Sequence, residues 1–268
     1  STTLGAVDCD TGVPLQLTLA QKGGNLDYSV ASVTSFLRRL GHTTVRLRSD
    51  GEPSIVALVN AVAAKRLKAD GQKTIVEQTP RYSSQSLGAV GAQQLISQEQ
   101  TMTIRAAIEM MRECEVGPTH VVWPWMTRHS TLLIEMYNIK ADGRTPRDDA
   151  MGATYEGTIL KFAETVMFKH PVTPTDLKTG GERARESKPS WEKGVFLGKT
   201  DDSNKFPICT SSRVYLASAV CRLPDEGQAD KDLLSTIGGV PWGRNGARVQ
   251  EHGPDARRAA HVEQRAHN

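Results

Sequence analysis

The segment Val45-Arg46-Leu47-Arg48-Ser49-Asp50-Gly51 decides how this chain folds. Apolar and polar side chains alternate along it, and it follows two β-branched threonines, so it reads as a strand. It ends on a single carboxylate, Asp50, and a glycine. Pro53 then stands where a first helical turn begins, a place that suits its fixed φ and missing N–H. A strand that passes an Asp at its C-terminal end through a short turn into a helix is one unit of an alternating β/α fold.

Upstream, residues 3–9 and 13–20 predict two strands, with Asp10-Thr11-Gly12 between them as a hairpin turn. Asn25 or Asp27 can cap a helix carrying Val30, Val33, Phe36 and Leu37 on one face, and Gly41 ends it. Downstream of Pro53, the residues Ile55, Leu58, Val59, Val62 and Leu67 keep helical spacing, and Lys73 to Glu77 is another short strand. The polar stretch TPRYSSQS leads into a long helix from about Ala89 to Glu113, broken at Gly117-Pro118. A further helix carries Trp125 to Tyr137. The expected fold class is therefore α/β, a mixed sheet with flanking helices, in which the strand at 43–48 lies beside the hairpin. After Gly143 prolines, glycines and mixed charges become frequent, and GVFLG, FPICTS and RVYLASAV predict a small all-β module. The expected boundaries are a core over 1–140, an irregular connector over 141–189, the β module over 190–242 and a disordered tail over 243–268.

With 268 residues, 38% of them hydrophobic and 24% charged, the chain can bury a sizeable core. A formal net charge of +3 does not by itself indicate nucleic-acid binding. Cys9, Cys114, Cys209 and Cys221 lack zinc-site spacing and read as reduced, structural thiols of an intracellular protein. No apolar run is long enough to span a bilayer, so no membrane partner is expected.

A second segment bears on chemistry: Tyr82-Ser83-Ser84-Gln85-Ser86-Leu87-Gly88-Ala89-Val90-Gly91, a polar loop opening the long helix. With the first, it resembles the integrase core of retroviruses and LTR retrotransposons. In that family the second catalytic Asp ends a strand in a phrase like LRSDNG. The third carboxylate is a Glu in the pattern Y-x-x-Q-S-x-G-x-V-E. Tyr82, Gln85, Ser86, Gly88 and Val90 match in register, and Gly91 occupies the Glu position, 41 positions after Asp50. Further phrases follow in the family's order: Asp142 to Pro146, then Phe162-Ala163-Glu164, then Trp191 to Gly198, similar to the R-W-x-x-G-x-F-L-G opening of the family's small β module. The resemblance spans roughly residues 3–242 and implies an RNase-H-like core.

What the resemblance implies is metal-dependent polynucleotidyl transfer. Three carboxylates hold two Mg²⁺ or Mn²⁺ ions that activate the attacking oxygen and stabilise the leaving one. The implied partners are DNA, as element ends and target, and further copies of the chain; the implied place of action is the nucleus. Asp50 is the implied metal ligand and catalytic residue. The first Asp belongs on the fold's first strand. Asp8 and Asp10 fall on and after the second, so the first strand is expected upstream of Ser1. With Gly91 in place of Glu, the expectation is a degenerate integrase; its rival is a non-catalytic nucleic-acid-binding or oligomerisation remnant. Candidate nucleic-acid contacts are Arg48, Lys65, Arg66, Tyr82, Gln85 and Ser86, against the simpler reading of a solvated basic face. Asp50 could equally cap the helix after it. The triplet Asp10-Thr11-Gly12 also spells an aspartic-protease signature, but Val13-Pro14 fits that poorly.

Overall fold

The expected hairpin forms between β1 (Thr2–Val7) and β2 (Pro14–Leu19), antiparallel, in register from Thr2 opposite Leu19 to Val7 opposite Pro14. The computed structural model describes residues 2–24, 26–79, 88–157, 159–171, 190–200 and 203–243. Asp8 closes the turn: its carboxylate accepts from the Thr11 hydroxyl at 2.6 Å and from the Thr11 N–H at 3.2 Å. Gly12 supplies the left-handed conformation there, with φ of +81°.

Alternation of strand and helix then follows as expected: α1 (Leu26–Arg39), β3 (Thr44–Ser49), α2 (Pro53–Asp70), β4 (Lys73–Gln78), α3 (Gly88–Arg112) and α4 (Trp123–Tyr137). The protein is a mixed α/β molecule with several sheets. One expectation fails. β3 does not hydrogen-bond to the hairpin; it pairs in parallel with β4, and β1–β2 and β3–β4 are separate two-stranded sheets.

Val13, Val30, Val33, Phe36, Leu37, Leu58 and Val62 form one buried cluster, joining the hairpin to α1 and α2. The inner face of β3, Val45 and Leu47, packs against it, while Thr44, Arg46 and Arg48 on the outer face are exposed. The other face of the hairpin meets α4, where the Thr18 hydroxyl donates to the Thr127 hydroxyl at 2.9 Å.

The last turn of α2 reverses the sequence reading. Leu67, expected on the buried stripe, is 64% exposed, and Arg66 is fully buried. The stripe Val59, Val62, Arg66 continues at spacings of three and four, and residue 67 falls off it. Burial is tolerated because the guanidinium donates to the Thr74 hydroxyl at 2.8 Å, the His42 carbonyl at 2.5 Å and the Gln72 side-chain oxygen at 2.9 Å.

Beyond α5 (Pro146–Met151), the strands β5 (Thr165–Lys169), β6 (Trp191–Phe196), β7 (Phe206–Cys209), β8 (Val214–Ala217) and β9 (Val220–Arg222) form one antiparallel sheet ordered β8-β7-β6-β5-β9. The expected module is corrected on two points. β5 lies inside the stretch expected to be irregular, and the sheet is not separate from the core. Ile104 and Ile108 of α3 and Trp125 and Met126 of α4 share a buried cluster with Val195, Leu197, Cys209 and Val214. Leu234 of α6 (Lys231–Thr236) completes it. Gly194 is required in β6, since a Cβ there would sit 2.3 Å from Ile208 Cγ2. Trp125 is buried, whereas Trp191 is 38% exposed. The tail expected to be disordered lies, from residue 244, outside the described residues.

All four cysteines are free thiols, and the two kinds are distinct. Cys209 is buried, and desolvation pushes its thiol up to about 12, whereas Cys9 and Cys221 are exposed. Since the thiolate is the nucleophile, an alkylating reagent in native buffer should modify Cys9 and Cys221 within minutes and leave Cys209 intact until the chain unfolds. Peptide mapping of the modified protein checks this; early labelling of Cys209 would show that the shared core opens.

Candidate functional site

β3 carries Asp50 to the end of its sheet, and α3 begins with Gly88. Asp50 and Gly91 line one cavity of about 670 Å³. Its lining includes Thr2 to Gly5 of β1, Arg48 and Ser49 of β3, Ile55 and Leu58 of α2, and Val90 and Gln94 of α3. Gly5 permits the close approach of α3, because a Cβ there would lie 3.0 Å from the Gln94 side-chain nitrogen.

Asp50 is exposed, and its Oδ1 accepts the Glu52 N–H at 3.3 Å. It is not the helix cap: Glu52 holds the N-cap position of α2. Glu52 itself borders the cavity, ion-paired to Lys22 at 2.9 Å and accepting from the Ser54 hydroxyl. That Ser54 hydrogen bond, with Lys22 behind it, holds the Glu52 carboxyl below its usual range. Sequence reasoning missed the Lys22–Glu52 pair. The signal was a carboxylate directly before Pro53, but an ion pair formed across a loop leaves no periodicity.

The other carboxylates considered at the outset lie elsewhere. Asp8 sits at the opposite end of the hairpin, holding the turn and facing His42 Nε2 at 3.2 Å. Asp10 is exposed in that turn. Among the described residues no three His, Cys, Asp or Glu side chains gather as a metal-holding group. The donors present do not fit a pair of divalent ions: Asp50 offers one carboxylate, Glu52 is neutralised by Lys22, and Gly91 offers none.

The expected nucleic-acid contacts divide. Arg66 is removed from the set, being fully buried and committed to His42, Gln72 and Thr74. Lys65 is exposed on α2. Arg48 is exposed but shares Glu77 with Arg46, at 3.4 and 3.1 Å. Tyr82, Gln85 and Ser86 lie outside the described residues. No helix among the described residues is long and apolar enough to cross a membrane.

No protein-family model matches the chain, and a search of curated proteins likewise gives no match.

Proposed function

We propose that this chain is an integrase-derived domain of an LTR retrotransposon polyprotein, built on an RNase-H-like core and followed by a small β module, and that it is catalytically degenerate as it stands. One observation carries the reading. Asp50, at a strand end, and Gly91, at a helix start, occupy the family's second and third carboxylate positions and border the same cavity. The strand arrangement supports it as well: a hairpin pair and a parallel pair, each followed by helices, are what an RNase-H-like sheet leaves if its central strand is taken out. The ancestral reaction is DNA integration by metal-dependent polynucleotidyl transfer. The second reading, a non-catalytic remnant that binds nucleic acid or oligomerises, is favoured by Gly91 itself, which removes a ligand that no group among the described residues replaces.

A strand-transfer assay on DNA ends with Mg²⁺ or Mn²⁺ tests the proposal on the chain as given and on Gly91→Glu. Both should be inactive, because two carboxylates without a bridging third do not position paired ions. The substitution should nevertheless be tolerated, since no atom lies within 4 Å of a Cβ at position 91. Replacing a helical glycine should raise stability by about 1 kcal/mol. The assay should stay blank while the melting temperature rises. Strand transfer by the unmodified chain, lost on Asp8→Ala, would overturn both the placement of the carboxylates and the degenerate reading.

A further inference from the structure

β4 is paired on one side by β3 and, among the described residues, by no strand on the other. The Thr79 N–H donates to the Ser49 carbonyl at 2.8 Å, which fixes the phase of the parallel ladder. The backbone groups of Lys73, Ile75 and Glu77 therefore turn toward β3, and those of Thr74, Val76 and Gln78 turn outward. Among the described residues no backbone hydrogen bond reaches any of the outward three. Their N–H and C=O groups alternate along the edge, and such an edge is a template for another strand.

The side chains of β4 divide by face. Thr74 and Val76 stand beside Val45 and Leu47 on the face toward α2, where the Arg66 guanidinium reaches the Thr74 hydroxyl. Lys73, Ile75 and Glu77 lie on the other face, beside Thr44, Arg46 and Arg48. Ile75 is 36% exposed and stands midway between the two charges. Glu77 holds Arg46 and Arg48, and a carboxylate with about four acceptor positions can take a further donor. Lys73 is exposed and makes no ion pair among the described residues.

This row is complementary to itself. A two-fold axis through Ile75 sets Lys73 opposite Glu77 of a second, antiparallel β4, and Glu77 opposite its Lys73. The same axis sets Thr74 opposite Val76 and Val76 opposite Thr74, and each of these outward-facing pairs can exchange two main-chain hydrogen bonds. Other symmetric registers lose the match. An axis through Lys73 or Glu77 brings like charges face to face, which is destabilising. An axis through Thr74 or Val76 gives neither charge an opposite partner.

We infer that β4 is a self-association edge: it pairs antiparallel with β4 of a second copy of this chain, about a two-fold axis at Ile75, and joins two β3–β4 pairs into one four-stranded sheet. The interface is isologous, each residue i meeting j where j meets i. Arg48, Glu77 and the second copy's Lys73 then form a row of alternating charge across the strands, and the two Ile75 side chains cover each other. Main-chain bonds supply affinity, and the charges that deter indiscriminate edge pairing select the register and the partner. The contact is one short strand from each copy, so the dimer is weak and depends on concentration. The inference rests on β4 alone and does not depend on the integrase reading.

The test uses the whole chain, read by sedimentation over a wide range of protein concentration and by disulfide trapping. The unmodified chain should show a reversible monomer–dimer equilibrium, and hydrogen exchange at the Val76 amide should slow by about tenfold or more at dimer-forming concentrations. Ile75→Glu sets two carboxylates on the axis and should raise the dissociation constant by about tenfold or more. Its melting temperature in dilute solution should stay unchanged, because position 75 is exposed and lies beside Arg46. For trapping, the exposed Cys9 and Cys221 are first changed to serine. Ile75→Cys in that background should link into dimers under mild oxidation: opposed residues of this kind have Cα atoms about 4.5 Å apart, within the roughly 4.4–6.8 Å that a disulfide spans. Thr44→Cys, exposed on the same face but one strand further from the axis, should stay unlinked. A chain that remains monomeric at its highest soluble concentration would overturn the inference. So would a dimer that Ile75→Glu leaves intact, or linking through Thr44→Cys as efficient as through Ile75→Cys.

Discussion

Arg112→Met should lower the stability of the whole chain by about 3 kcal/mol, the order expected when two or more buried carbonyls lose a charged donor. Arg112 ends α3, is 2% exposed, and reaches from the helical part of the molecule into the five-stranded sheet. Its guanidinium donates to the carbonyls of Asp230 and Ala163, to the Thr165 hydroxyl at 3.2 Å and to the Gln228 carbonyl at 3.4 Å. Those groups belong to the approach to β5, to β5 itself and to the cap of α6, so one side chain fixes three segments to α3. Burial lowers the pKa of Arg112, which measures the cost of holding a cation there; the substitution recovers that cost but strands the acceptors. Methionine keeps the apolar stem, so the loss reads out the hydrogen bonds rather than a cavity. Urea denaturation should show a lower midpoint with an unchanged slope. Arg112→Lys should recover little, because one ammonium does not reproduce a planar fork serving several acceptors. A shift of less than ~1 kcal/mol for the methionine variant would mean that the carbonyls find other donors.

The sequence made some of this legible and hid the rest for physical reasons. The hairpin, α1, β3, α2 and β4 follow from period and turn chemistry, which are local. That Asp50 and Gly91 border one cavity was legible only through the two motifs, since neither residue carries a periodic signal. Pairing between β1 and β3 was expected and is absent, because adjacency of strands depends on what occupies the layer between them, a non-local property. β5 was missed although Val166 and Phe168 alternate; the run TVMFK is short and sits among prolines, glycines and charges that read as connector. The burial of Arg66 was concealed by its type. Composition scales place arginine outside, and only the three acceptors around it, all near the end of α2, make the inside tolerable. The same holds for Glu135, 3% exposed yet ion-paired to Arg39 at 2.5 Å.

Stability should fall steeply between pH 6.5 and about 4 because of one histidine. His129 on α4 is 3% exposed, and burial holds its imidazole down to about 4, from an ordinary 6.5. Its ring lies 5.1 Å from that of Phe162 and 5.9 Å from that of Phe196. Gly198 brings backbone against it, where a Cβ would stand 3.2 Å from Nδ1, and Nδ1 has no hydrogen-bond partner among the described residues. A proton there would place a charge where solvation is lost. The folded pKa is the depressed one, so the unfolded chain binds the proton first as pH falls. The contribution is fully present above 6.5 and is lost progressively down to about 4. Its full size is about 3 kcal/mol at 1.36 kcal/mol per pKa unit. Carboxylates also lose stabilising contacts in acid: Glu109, held low by the Val116 N–H, and Asp148, held low by the Thr145 N–H, act at the bottom of this range. His129→Leu separates the contributions. It removes the buried imidazole and its unpartnered nitrogen while leaving every carboxylate in place. The difference in unfolding free energy between the two chains should be flat above pH 7 and grow in favour of the leucine variant as pH falls through 6 and 5. Parallel pH profiles for the two chains would show that His129 takes up its proton without unfolding, and that the cavity beside it admits water.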